Sequence, residues 1–266
     1  MALLKGINAS KRIKEITYIP MYMPIQHKKG NGYSMDGVEE DIKKIRSSII
    51  QDEYIWIAIS SPHYYTLNDL NFIDRLAFKY RLKIASHLSE TREVKSIGDK
   101  EQVMDLKNLK LIVHGYWLDL DDLEYFRDKG VYLSICPRSA LWFNGVKVDL
   151  NMLKSSNIPI VVGTDNGSWI KPDLWRELEL LAIYSRIQGG PFKPSEILKM
   201  ATVNPGDLFG IPNYIDEGIH ARMICLKSRW IDARSSKDPV INILKHGGVE
   251  SIYRIIAKDI VLGNIN

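Results

Sequence analysis

The sequence predicts an α/β fold of parallel strands joined by helical crossovers. Two observations carry that reading. Short β-branched runs alternate with amphipathic stretches along most of the 266 residues. One run, Ile158–Gly163 (IPIVVG), is apolar throughout, the pattern of a strand covered on both faces.

Taken in order, Ile16–Ile25 (ITYIPMYMPI) reads as a strand weakened by Pro20 and Pro24. Ile55–Ser60 (IWIAIS) is a stronger strand. Leu67–Tyr80 is a helix, with Leu70, Ile73, Ala77 and Tyr80 recurring on one face. Leu82–His87 is a strand, Lys100–Leu106 a helix and Leu109–His114 (LKLIVH) a strand. A helix over Leu120–Lys129 is ended by Gly130. Val131–Cys136 is a strand, Leu150–Ser156 a short helix, and Ile158–Gly163 the sixth strand. Helices over Asp173–Ile187, opened by Pro172 and Asp173, and over Ser195–Thr202 follow. Beyond Pro212 the pattern changes. Arg222–Leu226 and Ile252–Ile260 read as strands with no helix between them, so residues 213–266 are expected to form a small β appendage to residues 1–212.

Composition excludes several classes. Hydrophobic residues are 45% and charged residues 26%, ordinary for a globular protein and too apolar for disorder. The net charge of +4 is mild and unclustered, which argues against nucleic acid. Two cysteines, Cys136 and Cys225, make neither a disulfide framework nor a zinc knuckle. No run reaches the roughly 18 apolar residues of a membrane helix. Met1–Lys14 has no apolar signal core, so the expected location is cytoplasmic.

The polar residues of interest follow the strands. His63 comes after IWIAISSP. His87 and Glu90 end LKIAS as H-L-S-E, His114 ends LKLIV, and Asp165 ends IPIVVG as G-T-D-N. In parallel α/β folds the carboxyl ends of the strands converge where ligands bind. Three of the six histidines, one Glu and one Asp are thus expected in one mouth, a set suited to a divalent metal and to moving protons. Each has a plainer reading. A lone His at a strand end is often a hydrogen-bonded structural residue, Asp165 an N-cap, and Glu90 a first-turn acid. Four of the six strands ending this way favour the joint functional reading. His27, His220 and His246 read as surface residues. Trp117, Trp142 and Trp169 stand where an indole can line a pocket for a flat ring, with core or rim packing the plainer reading for at least two of them.

The motifs S-P-H-Y-Y-T, I-A-S-H-L-S-E-T, L-I-V-H-G, I-C-P-R-S-A, V-V-G-T-D-N and E-I-L-K-M-A-T-V-N-P-G-D-L-F-G occur in this order. Together, over about Ile16 to Leu226, the chain resembles the amidohydrolase superfamily. The resemblance is to its branch of cytosine-deaminase-like, adenosine- and S-adenosylhomocysteine-deaminase-like and chlorohydrolase-like enzymes. It implies a (β/α)8-barrel-like fold carrying strands three to eight, with a C-terminal β segment forming half of a small composite sandwich. It also implies one divalent metal ion, zinc or iron. By resemblance, His87 is the strand-five metal ligand and Glu90 the proton shuttle to a ring nitrogen. His114 holds the attacking water or binds a metal, Asp165 is a metal ligand and general base, and His63 binds substrate. The implied reaction is hydrolysis of a non-peptide C–N bond, with deamination of a purine, pyrimidine or related N-heterocycle the favoured case. The alternative is a catalytically inactive or truncated relative acting as a binding or partner subunit.

The chain departs from the family in one respect. The family's first strand ends in His-x-His, two metal ligands, and no His-x-His occurs here. Weakened metal binding is therefore expected. A barrel entered at strand three leaves open edges, so a homo-oligomer or a complementing chain is expected, whether the sequence is a truncated product, half of a split enzyme or a degenerate homologue.

Overall fold

The computed structural model describes residues 17–24, 27–29, 32–35, 37–48, 55–232, 237–257 and 260–262. The chain divides into two compact units, Met1–Leu118 and Asp119–Asn266.

In the first unit the strands are β1 (Met21–Tyr22), β2 (His27–Lys29), β3 (Gly32–Ser34), β4 (Trp56–Ile59), β5 (Lys83–Leu88) and β6 (Leu109–His114). β1, β4, β5 and β6 lie side by side in that order, all parallel, with Tyr22 level with Ile57, Ile57 with Ile84 and Ser86 with Ile112. β2 and β3 form a separate antiparallel hairpin, which the sequence reading did not contain. The strand expected over Ile16–Ile25 is observed only at Met21–Tyr22, while Ile16 and Ile25 lie outside the described residues. Pro20, which has no N–H to give, still contributes its carbonyl to the Trp56 N–H at 3.1 Å.

Leu67–Tyr80 is a helix with the expected bounds. Thr66 and Asp69 close a reciprocal capping box, and Leu70, Ile73, Leu76 and Ala77 are buried on one face. Each buried Leu or Ile contributes about 1.5–3 kcal/mol of transfer free energy. The same helix sets the start of β6. The Asp74 carboxylate accepts from the backbone N–H of Asn108 at 3.0 Å and from its Nδ2 at 2.9 Å, and the Asn108 carbonyl accepts from Ile84 N–H at 2.8 Å. The helix Val38–Ser47 escaped the sequence reading, because it starts at a left-handed Gly37 with no side-chain cap.

The second unit begins with the helix Leu120–Asp128, capped by an Asp119–Asp122 box and burying Leu123 and Phe126. Then come β7 (Tyr132–Ile135), the helices Pro137–Asn144 and Leu150–Ser156, and β8 (Ile160–Val162). β7 and β8 are parallel, with Leu133 level with Ile160. The helices Leu174–Ile187, Pro194–Lys199 and Val203–Phe209 follow. Gly130 ends the first helix at φ +68, as the sequence indicates.

The C-terminal part corrects one expectation. A helix, Pro239–His246, lies between β9 (Arg222–Leu226) and β10 (Ile252–Ala257). It opens with Asp238 accepting from Val240 N–H at 2.9 Å and with Pro239 in its first turn. The run read as one strand over Ile252–Ile260 is two, β10 and β11 (Ile260–Leu262), which pair antiparallel. β10 lies between β11 and β9. Among the described residues, no helix is long and apolar enough to cross a membrane.

Candidate functional site

In the first unit the chemistry gathers where β5 and β6 stop. His114 is level with Leu88, one residue past His87. In an unbroken pleat His114 would share the face of Leu88 and turn away from His87. His114 instead adopts φ +75, which ends the pleat, and the rings of His87 and His114 come within 5.0 Å. His114 is buried at 2% exposure, and its Nδ1 lies 3.3 Å from the Tyr116 hydroxyl.

Glu90 reaches the same place through a fixed turn. Ser89 sits at φ +45, a left-handed conformation that costs an L-residue on the order of 1 kcal/mol or more. Its backbone N–H and its hydroxyl both donate to the carboxylate of Asp99, and both residues are fully buried. The Ser89 carbonyl accepts from Trp117 N–H at 3.3 Å, and the Leu88 carbonyl from Gly115 N–H at 2.8 Å. The turn brings Glu90 Oε2 to 3.7 Å from His114 Nε2. Glu90 is not the first-turn acid of a helix. The next helix, Arg92–Ser96, is capped by Thr91, whose hydroxyl accepts from Val94 N–H. Asp99 is a residue the sequence reading missed, since an acid after Gly98 at a helix start looks ordinary. Burial pushes its carboxyl above the usual carboxylate range, although hydrogen bonds from Ser89 pull the other way.

His63 lies in a short 3-10 turn, Pro62–Tyr64, after β4. Its Nδ1 is 2.7 Å from the Ser61 hydroxyl, and its ring packs against Tyr64 at 4.0 Å.

Asp165 belongs to the second unit. It sits just beyond β8 at φ +62, so it is not a helix N-cap. Its Oδ2 accepts a short hydrogen bond from the Ser139 hydroxyl, and its Oδ1 accepts from Asn166 N–H at 2.8 Å. Ser139 lies on Pro137–Asn144, a helix that the I-C-P-R-S-A motif conceals. Next to it, Glu177 is fully buried and accepts from Arg138 N–H at 2.9 Å and Arg138 Nη1 at 3.4 Å. Burial raises the Glu177 carboxyl, with Arg138 opposing. Burial first, and then the carboxylates of Asp165 and Glu177, push the Cys136 thiol far up. Trp142 and Trp169 are exposed at 75% and 60%, so neither is in the core. His220 and His246 are exposed as expected, and the side chain of His27 is outside the described residues.

The structure thus brings His87, Glu90 and His114 together in one unit and Asp165 with Ser139 in the other. The imidazoles are nitrogen donors of the type that zinc or iron accepts. Among the described residues, however, no group of three or more His, Cys, Asp and Glu side chains is arranged to hold a metal.

A model of the amidohydrolase family matches residues 12–250. The chain belongs to the amidohydrolase family. Among its relatives in that family, it is 28% identical over 232 residues to a 5-methylthioadenosine/S-adenosylhomocysteine deaminase of Pyrococcus furiosus, covering 80% of this chain and 55% of that protein. The chain spans about half the length of the curated relatives it matches. Solved structures show the same fold. An adenosine deaminase from Xanthomonas campestris with bound zinc superposes with a TM-score of 0.80 at 16% identity, covering 94% of this chain and 61% of that one. E. coli guanine deaminase gives 0.79 at 17% identity, covering 98% and 68%. The amidohydrolase chain therefore has the (β/α)-barrel-type fold expected of it, with six parallel strands among the described residues, four in the first unit and two in the second.

Proposed function

We propose that this chain acts in metal-dependent hydrolysis of a non-peptide C–N bond, deaminating a purine, pyrimidine or related N-heterocycle. The observation that carries the reading is the meeting of His87, Glu90 and His114 at the ends of adjacent parallel strands, with Glu90 Oε2 at 3.7 Å from His114 Nε2. The deaminase names of the relatives support the substrate class.

By the family resemblance His87 would be a ligand of a divalent metal, zinc or iron, Asp165 would also be a ligand, and His114 would be a further ligand or the group that orients the attacking water. When bound, such an ion supplies Lewis-acid activation. The chain's own residues move the protons. Asp165, oriented by Ser139, takes the proton of the water. Glu90, on its clamped turn, delivers a proton to the ring nitrogen, and His63 contacts the substrate. The partners in this reading are a small heterocyclic substrate and either a second copy or a complementing chain, and the location is cytoplasmic.

A second reading has its own observation. With no His-x-His in the sequence and no three-donor group among the described residues, the chain fits a non-catalytic binding or partner subunit. Ammonia release decides between them. The purified chain, supplied with zinc, is incubated with adenosine, guanine and cytosine, and the ammonia is measured enzymatically. Release that stops on adding a chelator is the expected result. No release from any of the three overturns the catalytic reading in favour of the second.

A further inference from the structure

Two segments of the second unit meet in step. Ser139 donates to Asp165, and four residues further along each segment the rings of Phe143 and Trp169 lie 4.8 Å apart, tilted by 54°. Arg138 Nη1 adds a third tie by donating to the Lys171 carbonyl at 3.1 Å, and Arg138 is itself anchored by the fully buried Glu177. The turn leading to Trp169 is closed on its own terms. Asn166 Oδ1 accepts from Ser168 N–H at 2.9 Å and from its hydroxyl at 2.7 Å, and the Asn166 carbonyl accepts from Trp169 N–H at 2.9 Å.

The two segments are therefore tied together, and the rings they carry meet without being buried. Phe143 is 49% exposed and Trp169 60%. Single exposed aromatics need no explanation. These two are a pair, carried on segments ordered by five hydrogen bonds. One of those bonds ends on the residue assigned to take the proton of water. Aromatic faces bind flat π-systems by stacking, and such contacts tolerate different ring substituents.

We propose that Phe143 and Trp169 form a stacking platform for the flat heteroaromatic ring of the substrate. The proposal deepens the deaminase reading and rests on it, since it takes Asp165 as part of the site. The ligand class is a nitrogen heterocycle of purine size, recognised through its face, while its edges are left to polar groups.

Equilibrium dialysis of radiolabelled adenosine against the full chain tests this. Trp169→Ala and Phe143→Ala should each weaken binding about tenfold or more, the usual effect of losing a base–aromatic stack. Trp169→Phe should restore most of the affinity. Phe78→Ala, at a still more exposed ring of the first unit, 76%, should change nothing. Wild-type affinity in Trp169→Ala overturns the platform and leaves the deaminase reading untouched. Unchanged adenosine binding with an altered sedimentation coefficient assigns the pair to a protein contact and also overturns it. A wild-type chain that retains no adenosine overturns it too, while ammonia release from guanine or cytosine by that same chain keeps the deaminase reading alive.

Discussion

Asp99 accepts both the backbone N–H and the hydroxyl of Ser89, from ten positions downstream and with neither residue exposed. Ser89 separates His87 from Glu90, so a buried carboxylate sets the direction in which the candidate proton shuttle leaves its strand.

Removing one half of that clamp has a calculable cost. Ser89→Ala leaves Asp99 Oδ1 buried without its hydroxyl donor, a desolvation penalty of about 1–3 kcal/mol. Denaturant unfolding of the variant should show a loss in that range. A loss of a few tenths would mean that the clamp carries little of the turn.

Glu90→Gln separates chemistry from structure. The amide cannot cycle a proton, so turnover should fall by a factor on the order of 100 or more. Gln is isosteric, and the unfolding midpoint should stay where it is. Ammonia release at the parent rate would remove Glu90 from the mechanism.

Glu177 gives a pH signature. Burial holds its folded-state carboxyl above the ordinary value of about 4.3. Between that value and the raised one, the unfolded chain is ionised while the folded chain keeps its proton. Unfolding then releases a proton, and the stability contribution declines as pH rises through the window, levelling off above the folded value. The stability difference between the parent and Glu177→Gln, measured by denaturant unfolding from pH 4 upward, should shrink over that interval. A difference that grows with pH would show that the Arg138 pairing outweighs burial.

Zinc should bind weakly. Catalytic zinc uses about three protein ligands, and the described residues assemble no such group. Competition with a chromophoric chelator should give a dissociation constant of about 1 μM or weaker, and His87→Ala should weaken it further. Nanomolar affinity would mean that the full ligand set is present.

Much of this was readable from residues alone, and the failures have separate physical causes. Leu67–Tyr80, Leu150–Ser156 and Leu109–His114 match the structure to the residue, because period and caps agree there. The trio at the ends of β5 and β6 was legible because strand ends are marked by the change from apolar to polar residues. The missed helices Pro137–Asn144 and Pro239–His246 both open with proline in the first turn, a start signal that reads as a break when it follows a strand or a loop. The Asp99 clamp was hidden for another reason. It joins a strand end to a separate helix, and no local pattern encodes a hydrogen bond across that distance. The meeting of the His87 and His114 rings likewise depends on one backbone angle, φ +75 at His114, which overrides the two-residue alternation.

The contrast between the two thiols has a practical side. Cys136 is shut away, and its thiolate is disfavoured by burial and two neighbouring carboxylates, whereas Cys225 on β9 is partly open to solvent. A maleimide dye reacts with thiolates that it can reach. The unaltered sequence thus offers one reachable thiol, and a fluorophore can be placed on the C-terminal sheet without editing a single codon.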